Sequence, residues 1–189
     1  MEEISEAYLN KEEKKRLLEI ARQSIDEYVT KGSTPSFTVT EERLKGKQGA
    51  FVTITKKGQL RGCIGNFVSE NSLHQTVQDM AIAAATQDPR FPPLSRKELK
   101  SIELEISVLS PLREIKDTNE IKVGEHGIYL TKGIYRGVLL PQVATEYGWD
   151  RKTFLEHTCL KAGLPTNAWK ESDIKIEIFD AQVFGEKNI

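Results

Sequence analysis

The sequence predicts an α+β fold in which a strand–helix unit occurs twice. Segments with an apolar residue at every third or fourth position are interspersed with segments in which apolar and polar residues alternate. In addition, the stretches VTITKKGQLRGCI and IYLTKGIYRGVLL resemble each other, and a helical pattern follows each of them. Self-similarity of this kind usually marks a repeated supersecondary unit.

The composition is that of an ordinary water-soluble domain. The chain has 189 residues, of which 38% are hydrophobic and 29% charged, and its formal net charge is −1. This charge provides no overall attraction to nucleic acid or to an anionic membrane, so a basic surface would have to be local. No run of 18 apolar residues occurs, and no membrane span is expected.

The termini and cysteines predict a single cytoplasmic domain over residues 1–189. The first fifteen residues are helical in pattern and lack the apolar core of a signal peptide. The only cysteines, Cys63 and Cys159, are far apart, which argues against a zinc site or a disulfide framework. We expect two pseudo-repeats within the domain, at about 33–110 and 111–189, that share one sheet.

The first half of the chain begins with a predicted helix over about 11–31. Asn10 and Glu13 form a capping box before it, and Gly32 suits its end. AFVTIT and QLRGCIG are rich in strand-forming residues and flank a KKG turn, so they predict a hairpin. A second capped helix begins after Ser72. The proline-rich loop QDPRFPPLS, a capped turn at SRKEL and the alternating strand IELEISVLS follow.

The second half repeats this order after a polar connector. GEHGIYLTKGIYRGVLLP predicts two strands around a turn. Pro141 suits the first turn of a short helix that Gly148 ends, and Asp150 can cap the next helix, which ends at Gly163. IKIEIFDAQVF predicts a last strand.

The two similar stretches align if one residue is dropped in the turn of the second. Arginine then occurs in both copies, whereas the cysteine of the first copy lies opposite a valine. The matched pairs are Thr55 with Thr131, Lys56 with Lys132, Gly58 with Gly133, Arg61 with Arg136, Gly62 with Gly137, and Cys63 with Val138.

Cys63 allows two interpretations. Residues two apart on a strand share a face, so Arg61 and Cys63 are expected to point the same way, and a guanidinium near a thiol favours the thiolate. Gly62 and Gly65 would leave room for a ligand. Alternatively, Cys63 packs as a small hydrophobic residue, as we expect for Cys159 on the apolar face of its helix.

Other candidates are scattered along the chain. Asp88 and Arg90 flank a stiff loop in which Phe91 can anchor to the core, and they either contact a ligand or close the loop as an ion pair. His126 is a candidate acid–base group or a solvated turn residue. The catalytic candidates are therefore Cys63, Asp88 and His126, and the ligand-binding candidates are Arg61, Gly62, Gly65, Arg90, Arg136 and Gln142. No nucleotide-binding or metal-binding motif occurs, so no cofactor or metal is expected.

LRGCIGNF, DPRFPPLSRKEL, HGIYL and RGVLLPQVATEYGWDRKTFLEHTCLKAGL occur in this order along nearly the whole chain. In these motifs the sequence resembles the AMMECR family, whose prokaryotic members are component A of the AmmeMemoRadiSam system. The resemblance implies an α+β fold with a barrel-like sheet, which we expect to be mixed. It also implies two partners, a Memo-type protein and a radical S-adenosylmethionine protein.

The resemblance implies no established reaction. We expect a cytoplasmic ligand- or substrate-binding component of a nucleic-acid or protein modification system, in which Arg61, Arg90 and Arg136 line one cleft and bind an anionic ligand or RNA. Two alternatives stay open at this point. One is an enzyme that uses Cys63 as a nucleophile or redox centre, and the other is a non-catalytic adaptor that binds a partner through the RGCIG surface.

Overall fold

The computed structural model describes residues 8–189 and divides the chain into two compact units. The first comprises the described residues up to Leu109 together with Gln182–Ile189, and the second is Ser110–Ala181. The first seven residues, part of the helical pattern noted above, lie outside the described residues. The α+β class is confirmed, since both units combine helices with antiparallel strands.

The first unit packs helices on one face of a small sheet. Its elements are α1 (Lys11–Lys31), α2 (Glu42–Lys45), β1 (Ala50–Lys56), β2 (Gln59–Asn66), α3 (Leu73–Thr86) and β3 (Ile102–Leu109). The strand order is β2–β1–β3 with antiparallel pairs. Val52 and Ile54 of β1 are fully buried in the core that α1 and α3 cover, whereas Thr53 between them lies on the opposite face.

Helix α1 has the bounds that its sequence predicts. The Asn10 side chain accepts from the Glu13 N–H at 2.9 Å, and the Glu13 carboxylate accepts from the Asn10 N–H at 2.8 Å. Gly32 ends the helix in the left-handed conformation, with a φ of 73°. The four-residue helix α2 was not predicted, because one short turn has no detectable periodicity.

The second unit has the same kinds of element. They are β4 (Arg113–Ile115), β5 (His126–Lys132), β6 (Tyr135–Leu139), α4 (Pro141–Glu146), α5 (Arg151–Lys161) and β7 (Lys175–Gly185), whose end belongs to the first unit. β7 pairs with β4 and with β5, and β5 pairs with β6. All of these pairs are antiparallel, so the expectation of a mixed sheet is not met. None of the described helices is long and apolar enough to cross a bilayer.

The two hairpins, β1–β2 and β5–β6, have the same register except at one residue. Both turn through two residues, between the pairs Lys56↔Gln59 and Lys132↔Tyr135. In the first hairpin Thr55 pairs with Leu60 and Ile54 with Gly62, which leaves Arg61 as the extra residue of a β-bulge.

The bulge corrects the sequence alignment of the repeat. In the second hairpin Thr131 pairs directly with Arg136. Arg136 therefore matches Leu60 in register, and Arg61 has no counterpart. The sequence alignment placed the extra residue of the first hairpin in its turn, whereas the structure places it in the bulge. The two possibilities give hairpins of the same length, so the sequence does not distinguish them.

The register does align Gly62 with Gly137, and the same physical reason requires glycine at both places. A Cβ on Gly62 would lie 2.2 Å from the carbonyl oxygen of Ala84 in α3. A Cβ on Gly137 would lie 2.4 Å from the carbonyl oxygen of Thr158 in α5. In each unit a helix crosses its hairpin at backbone contact distance. This likeness favours a duplication, which stays a prediction.

Candidate functional site

The candidate residues of the first unit meet at Cys63, on the outer strand β2. The backbone N–H of Cys63 donates to Oδ2 of Asp88 at 2.9 Å, and Nη2 of Arg90 donates to the carbonyl oxygen of Cys63 at 3.3 Å. The backbone N–H and C=O of Cys63 both point away from β1, toward the free edge of the sheet. We call the Asp88–Arg90 pair the edge clip, because it satisfies the groups that a further strand would otherwise pair.

Asp88 is the buried centre of the edge clip. Its residue is 4% exposed, and its carboxylate accepts four hydrogen bonds, from N of Cys63 and from N, Nε and Nη2 of Arg90. The hydrogen bonds from the Arg90 guanidinium hold the pKa of the Asp88 carboxyl well below its ordinary value of 3.8. Asp88 is therefore ionised at neutral pH and accepts hydrogen bonds, and a catalytic role for it stays a prediction.

The loop that supplies the edge clip is anchored by Leu94. This leucine is buried, and its N–H donates to the carbonyl oxygen of Ala85 at 2.8 Å. Phe91, which was expected to be the anchor, is half-buried instead. Its ring lies 5.9 Å from the guanidinium carbon of Arg61 and 5.5 Å from that of Arg90, so it packs against two cations.

Arg61 has an internal counter-ion that the sequence analysis missed. Its Nε and Nη2 donate to the two carboxylate oxygens of Glu98 at 3.1 and 3.2 Å, and its side chain is 13% exposed. Hydrogen bonds, first from Arg61 and then from the Ser95 backbone and Lys56, hold the pKa of Glu98 well below its ordinary value of 4.5. An anionic ligand would have to compete with Glu98 for Arg61.

The Cys63 side chain lies on the face of the sheet opposite the helices. Neighbouring Gly62 faces α3, so Cys63 points the other way, toward its cross-strand partner Thr53. The Thr53 hydroxyl donates to Sγ at 3.2 Å, and Cys63 is half-buried. The space beside Gly62 and Gly65 is filled by the protein itself, since a Cβ on Gly65 would lie 2.2 Å from the Phe51 ring. Ligand contacts at these glycines stay predictions.

The other candidates belong to the second unit. His126 accepts from the Lys122 N–H at Nδ1, at 3.2 Å, and its Nε2 lies 3.6 Å from the Asp180 carboxylate. Nδ1 of His126 therefore has a hydrogen-bond partner inside the unit, and an acidic side chain lies close to Nε2. Arg136 is exposed, and within residues 8–189 no carboxylate forms an ion pair with it. Gln142 is half-buried in α4. The single cleft lined by three arginines stays a prediction.

Two further observations complete the description of the candidate residues. Cys159 is fully buried on α5, and burial raises the pKa of its thiol. No group of three or more histidine, cysteine or acidic side chains is arranged to hold a metal ion in the described part of the chain.

Comparison with known proteins gives consistent matches along the chain. The AMMECR1 family model matches residues 18–184. Protein MK0488 of Methanopyrus kandleri is 42% identical over 95% of this chain and 91% of its own length. Protein NEQ441 of Nanoarchaeum equitans is 42% identical over 90% of this chain and 98% of its own.

A solved structure agrees with these matches. The crystal structure of the uncharacterized protein PH0010 from Pyrococcus horikoshii has a TM-score of 0.86 and 38% identity to this chain. The match covers 95% of this chain and 94% of that one. Family model, relatives and fold thus agree over almost the full length, and the chain belongs to the AMMECR1 family.

Proposed function

We propose that the chain is the substrate- or ligand-binding component of a nucleic-acid or protein modification system, and that its binding surface is centred on Cys63. The observation that supports this proposal is the edge clip, which holds both peptide groups of Cys63. A Memo-type protein and a radical S-adenosylmethionine protein are the proposed partners, and the cytoplasm is the proposed compartment. The partners follow from the family resemblance noted in the sequence.

The edge clip is more than a packing cysteine requires. Burying the Asp88 carboxylate has a desolvation cost of several kcal/mol that its hydrogen bonds must offset, as a rule for buried ions. Val138, which occupies the register position of Cys63 in the second hairpin, has no such clip among the described residues. We infer that the edge clip, by fixing the backbone of Cys63 at the sheet edge, also fixes the position of its thiol on the helix-free face.

The charges around Cys63 favour an anionic group in the ligand, such as a phosphate of a small molecule or of RNA. Arg61 is largely buried against Glu98, whereas the Arg90 side chain is 53% exposed. We therefore expect the anion to approach the solvent side of Arg90, next to Cys63, and to contact Arg61 only if it displaces Glu98.

A second candidate function is an enzyme in which Cys63 is the nucleophile. The hydrogen bond from the Thr53 hydroxyl to Sγ favours this candidate, since a donor on sulfur stabilises developing thiolate charge. The two candidates make different demands on Thr53. If the surface only binds a ligand, the packing of the Thr53 side chain is sufficient. If Cys63 is a nucleophile, the Thr53 hydroxyl is also required, because it donates a hydrogen bond to Sγ.

Native mass spectrometry of protein purified from its own cells tests the proposal. We expect a retained small molecule, RNA fragment or thiol adduct on the natural protein and on Cys159→Ser, and its loss on Cys63→Ser. Identical spectra for all three proteins contradict binding at Cys63. If only Memo-type or radical S-adenosylmethionine proteins co-purify, equally with natural protein and Cys63→Ser, the adaptor alternative replaces the proposal.

The variant Thr53→Val separates binding from catalysis, because it keeps the shape of the side chain and removes the hydroxyl. If the chain only binds, Thr53→Val retains as much of the co-purifying molecule as the natural protein. If Cys63 is a nucleophile, the variant reacts more slowly with iodoacetamide at pH 7, by about fivefold for one lost hydrogen bond of about 1 kcal/mol.

A further inference from the structure

In the second unit, backbone groups at the outer edge of the sheet have no hydrogen-bond partner among the described residues, whereas the equivalent groups of the first unit are hydrogen-bonded to the edge clip. β6 is the last strand of its sheet and pairs only with β5. Lys132 and Tyr135 close a two-residue turn, so they form a hydrogen-bonded pair, and the peptide groups of Arg136 and Val138 point away from β5. Between residues 8 and 189, no group forms a hydrogen bond with them.

We propose that the free edge of β6 binds an extended, acidic segment of a partner protein as an additional strand. The peptide groups of Arg136 and Val138 provide two donors and two acceptors for such a segment. In the first unit the equivalent groups, those of Cys63, are occupied by a carboxylate and a guanidinium from the same chain. The same backbone position thus binds a polar partner in one copy and lacks one in the other.

The side chains around β6 define the chemistry of the segment. Arg136 is exposed on the strand and has no carboxylate partner in the described chain, so a glutamate or aspartate of the segment would pair with it. Ile134 and Tyr135 are 89% and 49% exposed. They border an open hollow of about 570 Å³ that Leu164 and Pro165 also line, so an apolar side chain of the same segment can pack against these two residues. The hollow also contains Asp173, whose carboxylate is paired with Lys132.

A second copy of the chain is a poorer occupant of this edge. Two β6 strands paired antiparallel through their free edges would place both Arg136 side chains on one face. In the registers that pair Arg136 with Arg136 or with Val138, the two side chains would lie directly opposite each other or diagonally, about 5 to 8 Å apart. Like charges at that distance oppose pairing, whereas a carboxylate favours it.

The test uses the full chain and two acetylated, amidated pentapeptides, Thr-Val-Glu-Val-Tyr and Thr-Val-Gln-Val-Tyr, titrated with amide hydrogen exchange as the readout. We expect the glutamate peptide to slow exchange of the Arg136 and Val138 amides and to bind about tenfold more tightly than the glutamine peptide. Arg136→Gln should remove that preference. Val138→Pro should weaken binding tenfold or more with an unchanged circular dichroism spectrum, because proline removes only an N–H that points to the open edge.

Three results would overturn the proposal. The first is no protection of these amides at 1 mM of either peptide. The second is equal binding of the glutamate peptide to the natural protein and to Arg136→Gln. The third is a dimer in sedimentation velocity that Val138→Pro dissociates, since this would assign the edge to a second copy.

Discussion

Replacement of Asp88 with asparagine tests the edge clip most directly. Oδ1 accepts from N and Nε of Arg90 at 3.0 and 2.9 Å, and Oδ2 accepts from N of Cys63 and Nη2 of Arg90 at 2.9 and 2.7 Å. All four neighbours are donors. The amide of asparagine has the same shape, but in either orientation its NH₂ group faces two of these donors.

The expected loss of stability follows from those contacts. Two hydrogen bonds to a charged group disappear, each worth about 1.5 to 3 kcal/mol. The Arg90 guanidinium that remains is half-exposed and can be hydrated, so no buried unpaired charge adds to this loss. We expect Asp88→Asn to lower the free energy of unfolding by about 3 to 5 kcal/mol. For a chain of this size, that corresponds to a fall in melting temperature of roughly 6 to 20 °C.

Urea denaturation followed by far-ultraviolet circular dichroism measures the change, and hydrogen exchange of the Cys63 amide reports the clip itself. Asp150→Asn is the matched control, because Asp150 caps α5 from an exposed position and asparagine caps a helix equally well. It should stay within about 0.5 kcal/mol of the natural protein, as surface substitutions do. If Asp88→Asn also stays within that range and the Cys63 amide remains protected, the edge clip does not hold β2.

Three further predictions concern other parts of the structure. The pKa of Glu98 is depressed in the folded state, so its contribution to the free energy of unfolding is complete above its unfolded value of about 4.5 and is lost as the pH falls below that value. The urea midpoint of the natural protein should therefore fall as the pH is lowered from 6 to 3, and Glu98→Gln should reduce this dependence on pH. Gly62→Ala should lower the free energy of thermal unfolding by about 2 kcal/mol or more, because the new Cβ would lie 2.2 Å from a backbone oxygen of α3. Gly46→Ala is the control, since its Cβ would lie 3.4 Å from the nearest backbone oxygen, and it should lower the same free energy by less than half as much. Ellman's reagent should label half-buried Cys63 in the native protein and fully buried Cys159 only in urea, and equal native rates would contradict the assigned burial.

The elements that the sequence predicts correctly are those with local physical causes. The capping box at Asn10 and the glycine after Lys31 determine where α1 begins and ends. The hairpins follow from strand-forming residues around short glycine turns. The three-residue strand β4 was read as a polar connector, because it forms only by pairing with β7 more than 60 residues further along the chain.

The site was harder to predict because its key contacts are not local. SRKEL indicates a capped turn, and Ser95 does bond to Glu98 as that pattern suggests. Nothing in the motif indicates that the same carboxylate would meet Arg61, which is 37 residues away in sequence. The DPR motif likewise indicates a salt bridge within the loop, but not that the buried carboxylate also holds the peptide N–H of Cys63.

The residues that match between the two hairpins differ between the sequence alignment and the structural register. By sequence, arginine is common to both copies and the thiol is the variable residue. By structure, Arg61 is the bulged residue, and Arg136 occupies the place of Leu60. A bulge displaces the residues on one side of it relative to the partner strand, which lets the Arg61 guanidinium meet Glu98 while Gly62 keeps its contact with α3. The first hairpin therefore carries its ion pair with Glu98 on a residue that the second hairpin lacks, whereas the close glycine contact with a helix is the same in both.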